Sequence, residues 1–188
     1  MLATRCLHDE HMIILGVLDC LETALSSADA DGRAAREDFE PFLTFFRQFA
    51  DGCHHIKEED RLFPIMEDCG IGRDGGPIGV MIHEHEVGRA AVKRMDENLD
   101  RAATGDREAL TAVIGSGREF LDMLRTHIDK EEHCLFPMAE QAVQGPNLER
   151  LMESYRAAEA DPAYQEAYSR CTSIARELKE RWLAPKPA

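Results

Sequence analysis

Apolar residues recur every three to four positions along most of this chain, the spacing of helices that each hide one face. The pattern predicts a first helix over residues 4–26, where Leu7, His11, Leu15, Leu18, Glu22 and Leu25 share a stripe. The small and acidic residues of 26–32 predict a loop. A second helix is expected over 34–68, with Pro41 in its first turns, where proline is best tolerated, and Pro64 bending its last turn. Glycines crowd residues 69–79 and predict a connection. A third helix is expected over 77–103, with Ile78, Met81, His85, Val92, Met95 and Leu99 together on one side. A turn at 104–106 leads to a fourth over 107–142, with Phe120, Met123, Leu124, His127 and Glu131 inward. Two shorter helical pieces follow, 147–159 and 162–183, and the tail 184–188 is expected to fray.

Four long helices with short connections predict an all-α, up-down-up-down four-helix bundle with extra C-terminal helices. The bundle is expected to occupy residues 1–143, and 144–188 to form a helical extension packed on it. The chain's 188 residues suffice for one such core. Aromatic residues make up only 6%, and Leu, Ala, Met, Glu and Arg outnumber β-branched residues, which favours helix over sheet.

A formal net charge of −14 argues against nucleic acid or an anionic membrane surface as partner. The N-terminal apolar patch is broken by Asp9, Glu10 and His11, unlike a signal peptide, and no membrane span is expected. Six scattered cysteines without a Cys-x-x-Cys pair read as reduced thiols of a cytoplasmic protein, most of them small buried hydrophobes.

One stretch occurs twice. Residues 53–67 read CHHIKEEDRLFPIME and residues 126–140 read THIDKEEHCLFPMAE. A single offset aligns His54 with His127, Lys57 with Lys130, Glu58 with Glu131, Glu59 with Glu132, and Leu-Phe-Pro with Leu-Phe-Pro. On a helix, His54 and Glu58 point the same way, as do His127 and Glu131. A lone pair of this kind reads as a solvated contact. Two copies continuing into core residues read as an inward polar cluster, in which cations would offset the cost of burying two carboxylates. The other two helices each offer one histidine on the apolar stripe, His11 and His85. His85 is preferred to His83 because it shares its stripe with Met81, Val92 and Leu99. His55, about 100° from His54, and His133 read as flank or surface residues. His8, one turn from His11, is placed to support it.

Taken together, these residues resemble the hemerythrin-like (HHE cation-binding) family over about residues 5–142. The resemblance implies a bundle around a non-haem di-iron centre of two Fe ions, oxo- or hydroxo-bridged. Glu58 and Glu131 would bridge the irons; His11 and His54 would serve one, and His85 and His127 the other. A set of imidazoles and carboxylates without thiolates suits iron better than structural zinc.

The oxygen carriers of that family place two histidines one turn apart on the third helix. Here the neighbours of His85 at that distance are Met81 and Arg89. The second bridge is Glu131, where the animal carriers place an aspartate one residue further on. Four histidines and two glutamates would leave open positions, which favours binding or activating O2, peroxide or NO over carriage. The expected function is a di-iron protein that binds or reacts with one of these. The alternatives are a di-iron enzyme (peroxidase- or catalase-like, NO reductase or oxidase) and an iron-sensing or iron-donating protein. The C-terminal helices would offer a surface for a protein partner or a homodimer.

Overall fold

The structure, a computed structural model, describes residues 3–184. Apart from Ala184, the tail expected to fray lies outside the described residues. Four helical rods form the body. The first is α1 (Arg5–Asp31). The second runs from α2 (Arg36–Phe45) through two π-helical segments, π1 (Phe46–His55) and π2 (Glu58–Leu62), into α3 (Phe63–Asp68). The third is α4 (Pro77–Ala103). The fourth joins α5 (Arg107–Lys130), π3 (Glu131–Leu135) and α6 (Phe136–Ala142). Two further helices follow, α7 (Pro146–Glu159) and α8 (Pro162–Trp182). Among the described residues there is no strand. Neighbouring rods touch in a closed ring, α1 to α2, α2 to α4, α4 to α5 and α5 to α1, so the chain is an all-α four-helix bundle. Outside it, α8 lies against α1, α2 and π1, and α7 against π2 and α8.

The first rod outlasts its expected end. Residues 26–31 are helical because Ala24, Leu25 and Ala28 continue the buried face, and alanine favours helix. Gly32 then stops the helix in the left-handed region, at φ 67°, with its N–H on the Ala28 carbonyl. The fourth rod begins where Asp106 accepts the backbone N–H groups of Glu108 and Ala109.

The second and fourth rods are not uniform α-helices, as the periodicity implied. Both repeats of Glu-Glu-x-x-Leu wind into a π turn, and both are followed by Phe-Pro. The proline ring collides with the carbonyl four residues back, here that of Asp60 or His133, and a wider turn relieves the clash. The longer π1 contains Gly52, where a Cβ would lie 3.3 Å from the Arg47 carbonyl.

Every rod passes from one apolar cluster to another, and its inward histidine sits at the crossing. One cluster gathers Leu18, Phe42, Phe46, Val92 and Phe120; the other gathers Leu7, Leu62, Phe63, Leu135 and Phe136. Helix α1 is long and apolar enough to cross a membrane, with a mean hydropathy of 1.3 over its most apolar stretch, yet half of that stretch is buried inside the bundle. All six cysteines are free thiols; Cys20, Cys53 and Cys171 are buried, Cys6 and Cys69 are half-buried, and Cys134 is exposed.

Candidate metal centre

Between the two apolar clusters the bundle encloses a layer of polar side chains. His11, His54, His85, His127, Glu58 and Glu131 are each at most 2% exposed. His83, by contrast, is exposed, as is His133. The four imidazoles meet in pairs. His11 Nε2 lies 3.0 Å from His54 Nε2, and His85 Nε2 lies 3.1 Å from His127 Nε2. Each carboxylate reaches both pairs. Glu58 is 3.6 Å from His54 and, through its other oxygen, 3.4 Å from His85. Glu131 is 3.1 Å from His11 and, through its other oxygen, 3.2 Å from His127.

A second ring of carboxylates orients the imidazoles. Glu10 of α1 lies 3.1 Å from His54 Nδ1, and Glu59 of π2 lies 2.7 Å from His85 Nδ1. Glu84 of α4 lies 3.0 Å from His127 Nδ1, and Glu132 of π3 lies 2.6 Å from His11 Nδ1. Each rod thus holds the histidine of the next. With Nδ1–H donated to a carboxylate, Nε2 carries the lone pair, the arrangement by which histidines are oriented as metal ligands. Lysines brace half of the ring: Lys57 Nζ donates to Glu10 at 2.7 Å, and Lys130 pairs with Glu84. His8 supports the same ring, 3.0 Å from Glu132.

Two tests bear on whether cations fit here. All four oxygens of Glu58 and Glu131 are buried without a hydrogen-bond partner, a cost that proteins ordinarily avoid. And lone pairs facing each other at 3.0 Å repel unless a proton or a cation lies between them. The donor set fits one cation beside each imidazole pair, with both glutamates reaching across. Two groups of buried donors overlap at Glu58: His11, His54, Glu58 and Glu131 form one, and His55, Glu58, His85 and His127 the other.

Without metal the layer neutralises itself with protons. Burial and the neighbouring Glu131 push the Glu58 carboxyl well above its ordinary range. Burial disfavours charge at Glu131 too, but His127 and His11 outweigh it and hold that carboxyl well below. Burial likewise opposes charge on His11 and His127, yet their glutamates push both rings up to about 9. Burial dominates at His54 and lowers it to about 4.

The second group corrects the reading of His55 as a flank or surface residue. It is 7% exposed and stacks on His85 with ring centroids 3.8 Å apart. The 100° separation from His54 assumed an α-helix. In π1 the turn is wider, and adjacent histidines both face inward. Gly52 inside an otherwise helical pattern was the available signal. The supporting glutamates also went unread, although Glu10-His11 and Glu84-His85 share a dipeptide and Glu59 and Glu132 share a place in the repeat.

A closed helical ring with facing imidazoles and reaching carboxylates is the architecture of bundle metalloproteins, which build their sites from inward groups on facing helices. Residues 2–139 match the hemerythrin HHE cation binding domain, and the chain belongs to that family. It is 42% identical over 138 residues to the iron-sulfur cluster repair protein YtfE of Musicola paradisiaca, covering 70% of this chain and 60% of that protein. It is 33% identical over 139 residues to the protein of the same name in Salmonella paratyphi B, with the same coverage of each. The chain thus spans less than two thirds of the length of these relatives. No solved structure matches.

Proposed function

We propose that this chain is a non-haem di-iron protein of the hemerythrin-like family that binds or reacts with O2, peroxide or NO. The observation that carries the reading is the set of four unpartnered oxygens on Glu58 and Glu131, each carboxylate facing two imidazole nitrogens on different rods. The relatives' name, which concerns iron-sulfur clusters, supports iron as the metal. His11 and His54 would hold one ion, His85 and His127 the other, with Glu58 and Glu131 across both. A pair of irons would supply redox chemistry with open positions for a small ligand. The protein's own residues do the rest. The ring of Glu10, Glu59, Glu84 and Glu132 fixes the imidazole nitrogens, and the two apolar clusters exclude water from above and below. Cytoplasmic action is part of the proposal, consistent with six free thiols.

A second reading is iron donation, favoured by the relatives' name alone. One experiment separates the two. Protein produced with ample iron is assayed for metal, and its absorption spectrum is followed through reduction and then exposure to O2, peroxide or NO. Two irons per chain and a spectral change with one of these small molecules support the proposal. One metal per chain, or zinc that iron cannot displace, overturns the di-iron assignment. Loss of iron to an apo acceptor, without a spectral response to any of the three, moves the reading to donation.

A further inference from the structure

The repeat that carries the two His-Glu pairs is not copied at every inward position. One step after His54 stands His55; one step after His127 stands Ile128. Four residues before His55 stands Asp51, and its aligned partner is Leu124. The rods that carry the single histidines differ in the same sense. Four residues after His85 stands Arg89, and four after His11 stands Leu15. Three polar residues of the second half thus answer three apolar ones of the first. They are joined to one another: His55 Nδ1 lies 3.4 Å from Asp51, and Arg89 donates to that same Asp51 oxygen at 2.8 Å. Packing alone does not ask for a nitrogen or a carboxylate here, because Ile128 and Leu124 occupy the aligned places at 4% and 3% exposure.

His55 has the form of the four imidazoles already placed in the metal layer. It is buried, and a carboxylate faces its Nδ1. Asp51, fixed by Arg89, can only accept, so in the neutral ring Nδ1 carries the proton and Nε2 the lone pair. One donor atom from each of His55, Glu58, His85 and His127 lies within 4.8 Å of all the others. Of the residues one turn from His85, Met81 is buried in an apolar cluster and Arg89 is committed to Asp51 and Glu59. His55 reaches the same place from the second rod, through the wide turn of π1. Its ring lies parallel to His85 and has room to turn. Beside it a cavity of about 280 Å³ opens between π1, α4 and α5, a slot lined at the metal layer by His55, His85 and His127. Gly88 keeps that slot open, since a Cβ there would meet Met123 Cε at 2.9 Å.

We propose that His55 is a fifth imidazole ligand, so that the cation at His85 and His127 takes three imidazoles from three rods and the cation at His11 and His54 takes two. The proposal rests on the two-cation reading above. Cobalt(II), which accepts imidazole and carboxylate ligands, is the probe. The unmodified chain is titrated with cobalt(II) chloride, the bound metal is counted, and proton NMR spectra are recorded in H2O and in D2O, in the cold to slow exchange. A ligating imidazole that keeps its Nδ1–H on a carboxylate shows one proton signal far outside the ordinary range, lost in D2O. Five such signals are expected, against four if His55 stands apart from the metal. His55→Gln removes one of them. Asp51→Asn keeps the ring but withdraws its carboxylate, and weakens the binding of one cobalt of the two by roughly tenfold or more.

Four signals with two cobalt ions bound to the unmodified protein overturn the role of His55 and leave the two-cation centre standing, whether or not either variant folds. Five signals that all survive His55→Gln overturn it as well. Uptake of a single cobalt, or of none, overturns the two-cation reading and this proposal with it.

Discussion

The His11/His54 half of the centre and the His85/His127 half are built from the same parts and sealed differently. Each has a Glu-His dipeptide on one rod and a His-x-x-Lys-Glu-Glu repeat on another. In each, a lysine braces the glutamate that holds the repeat's histidine. In the first half that lysine is Lys57, 1% exposed. It donates to Glu10 and, at 2.9 Å, to Glu159 at the end of α7, while Tyr164 of α8 places its hydroxyl 3.3 Å from the same Glu10 oxygen. In the second half the lysine is Lys130, whose side chain is 37% exposed. The second half instead has His55, where the aligned repeat has Ile128, and the slot beside Gly88. Repetition makes the inner layer nearly symmetric, and what packs outside it makes the two halves unequal.

The sharpest way to break the comparison is to remove the two lysines in turn. Lys57→Met leaves the buried Glu10 without its cation, and is expected to cost ~3–5 kcal/mol. Lys130→Met removes a partly solvated pair and is expected to cost less than ~1 kcal/mol. Chemical denaturation of the metal-free variants measures both. Equal losses would show that α7 and α8 do not distinguish the halves.

Next in size is the loss of a bridge. Glu58→Ala and Glu131→Ala should each lower metal content and cut the melting temperature of the iron-loaded protein by roughly 5–10 °C, from ~3 kcal/mol of lost binding linkage. In the metal-free protein the two part company: Glu58→Ala removes a carboxyl whose charge burial and Glu131 already oppose, so melting should rise or hold, whereas Glu131→Ala leaves His11 and His127 without their counter-charge and should lower it. Because each glutamate reaches both halves, the two variants should behave alike in the iron-loaded protein. Full iron and unchanged melting in either would remove that residue from the centre.

A smaller effect serves as a control on symmetry, because each half contains one imidazole raised to about 9, His11 in the first and His127 in the second. Raising a histidine's pKa on folding contributes stability that is complete below the unfolded value of about 6.5 and is lost as pH climbs through about 9. Metal binding needs those same nitrogens deprotonated and strengthens over the same window. Melting temperature should therefore fall by a few degrees from pH 6.5 to 9 without metal and rise with it. Parallel curves would mean that protons and metal do not compete at these rings.

The smallest expected effect lies at the seal. Tyr164→Phe removes one hydroxyl from Glu10 and should cost ~0.5–1.5 kcal/mol. It should also speed chelator removal of one iron of the two, that of His11 and His54. A uniform change in both phases of release would place the influence of α8 on the bundle as a whole.

The order of the helices and the inward histidine of each rod were legible from the sequence. A periodicity near 3.6, glycine-marked connections and one near-copied stretch all act over short stretches of chain. Local sequence also carried the sites of the π turns, in Leu-Phe-Pro and in Gly52, but their consequence was not readable. A wheel of fixed pitch assigns His55 to the flank, and only a widened turn brings it against His85. The carboxylate ring depended on the tertiary structure for the same kind of reason. Glu10 and Glu132 sit beside histidines in sequence, yet each supports a histidine on another rod, and which one follows from helix rotation across the bundle. The sealing of Lys57 by Glu159 and Tyr164 was beyond the sequence altogether. Burial of that lysine comes from helices about a hundred residues away, and a charged side chain in a helical repeat looks the same whether a later helix covers it or water does.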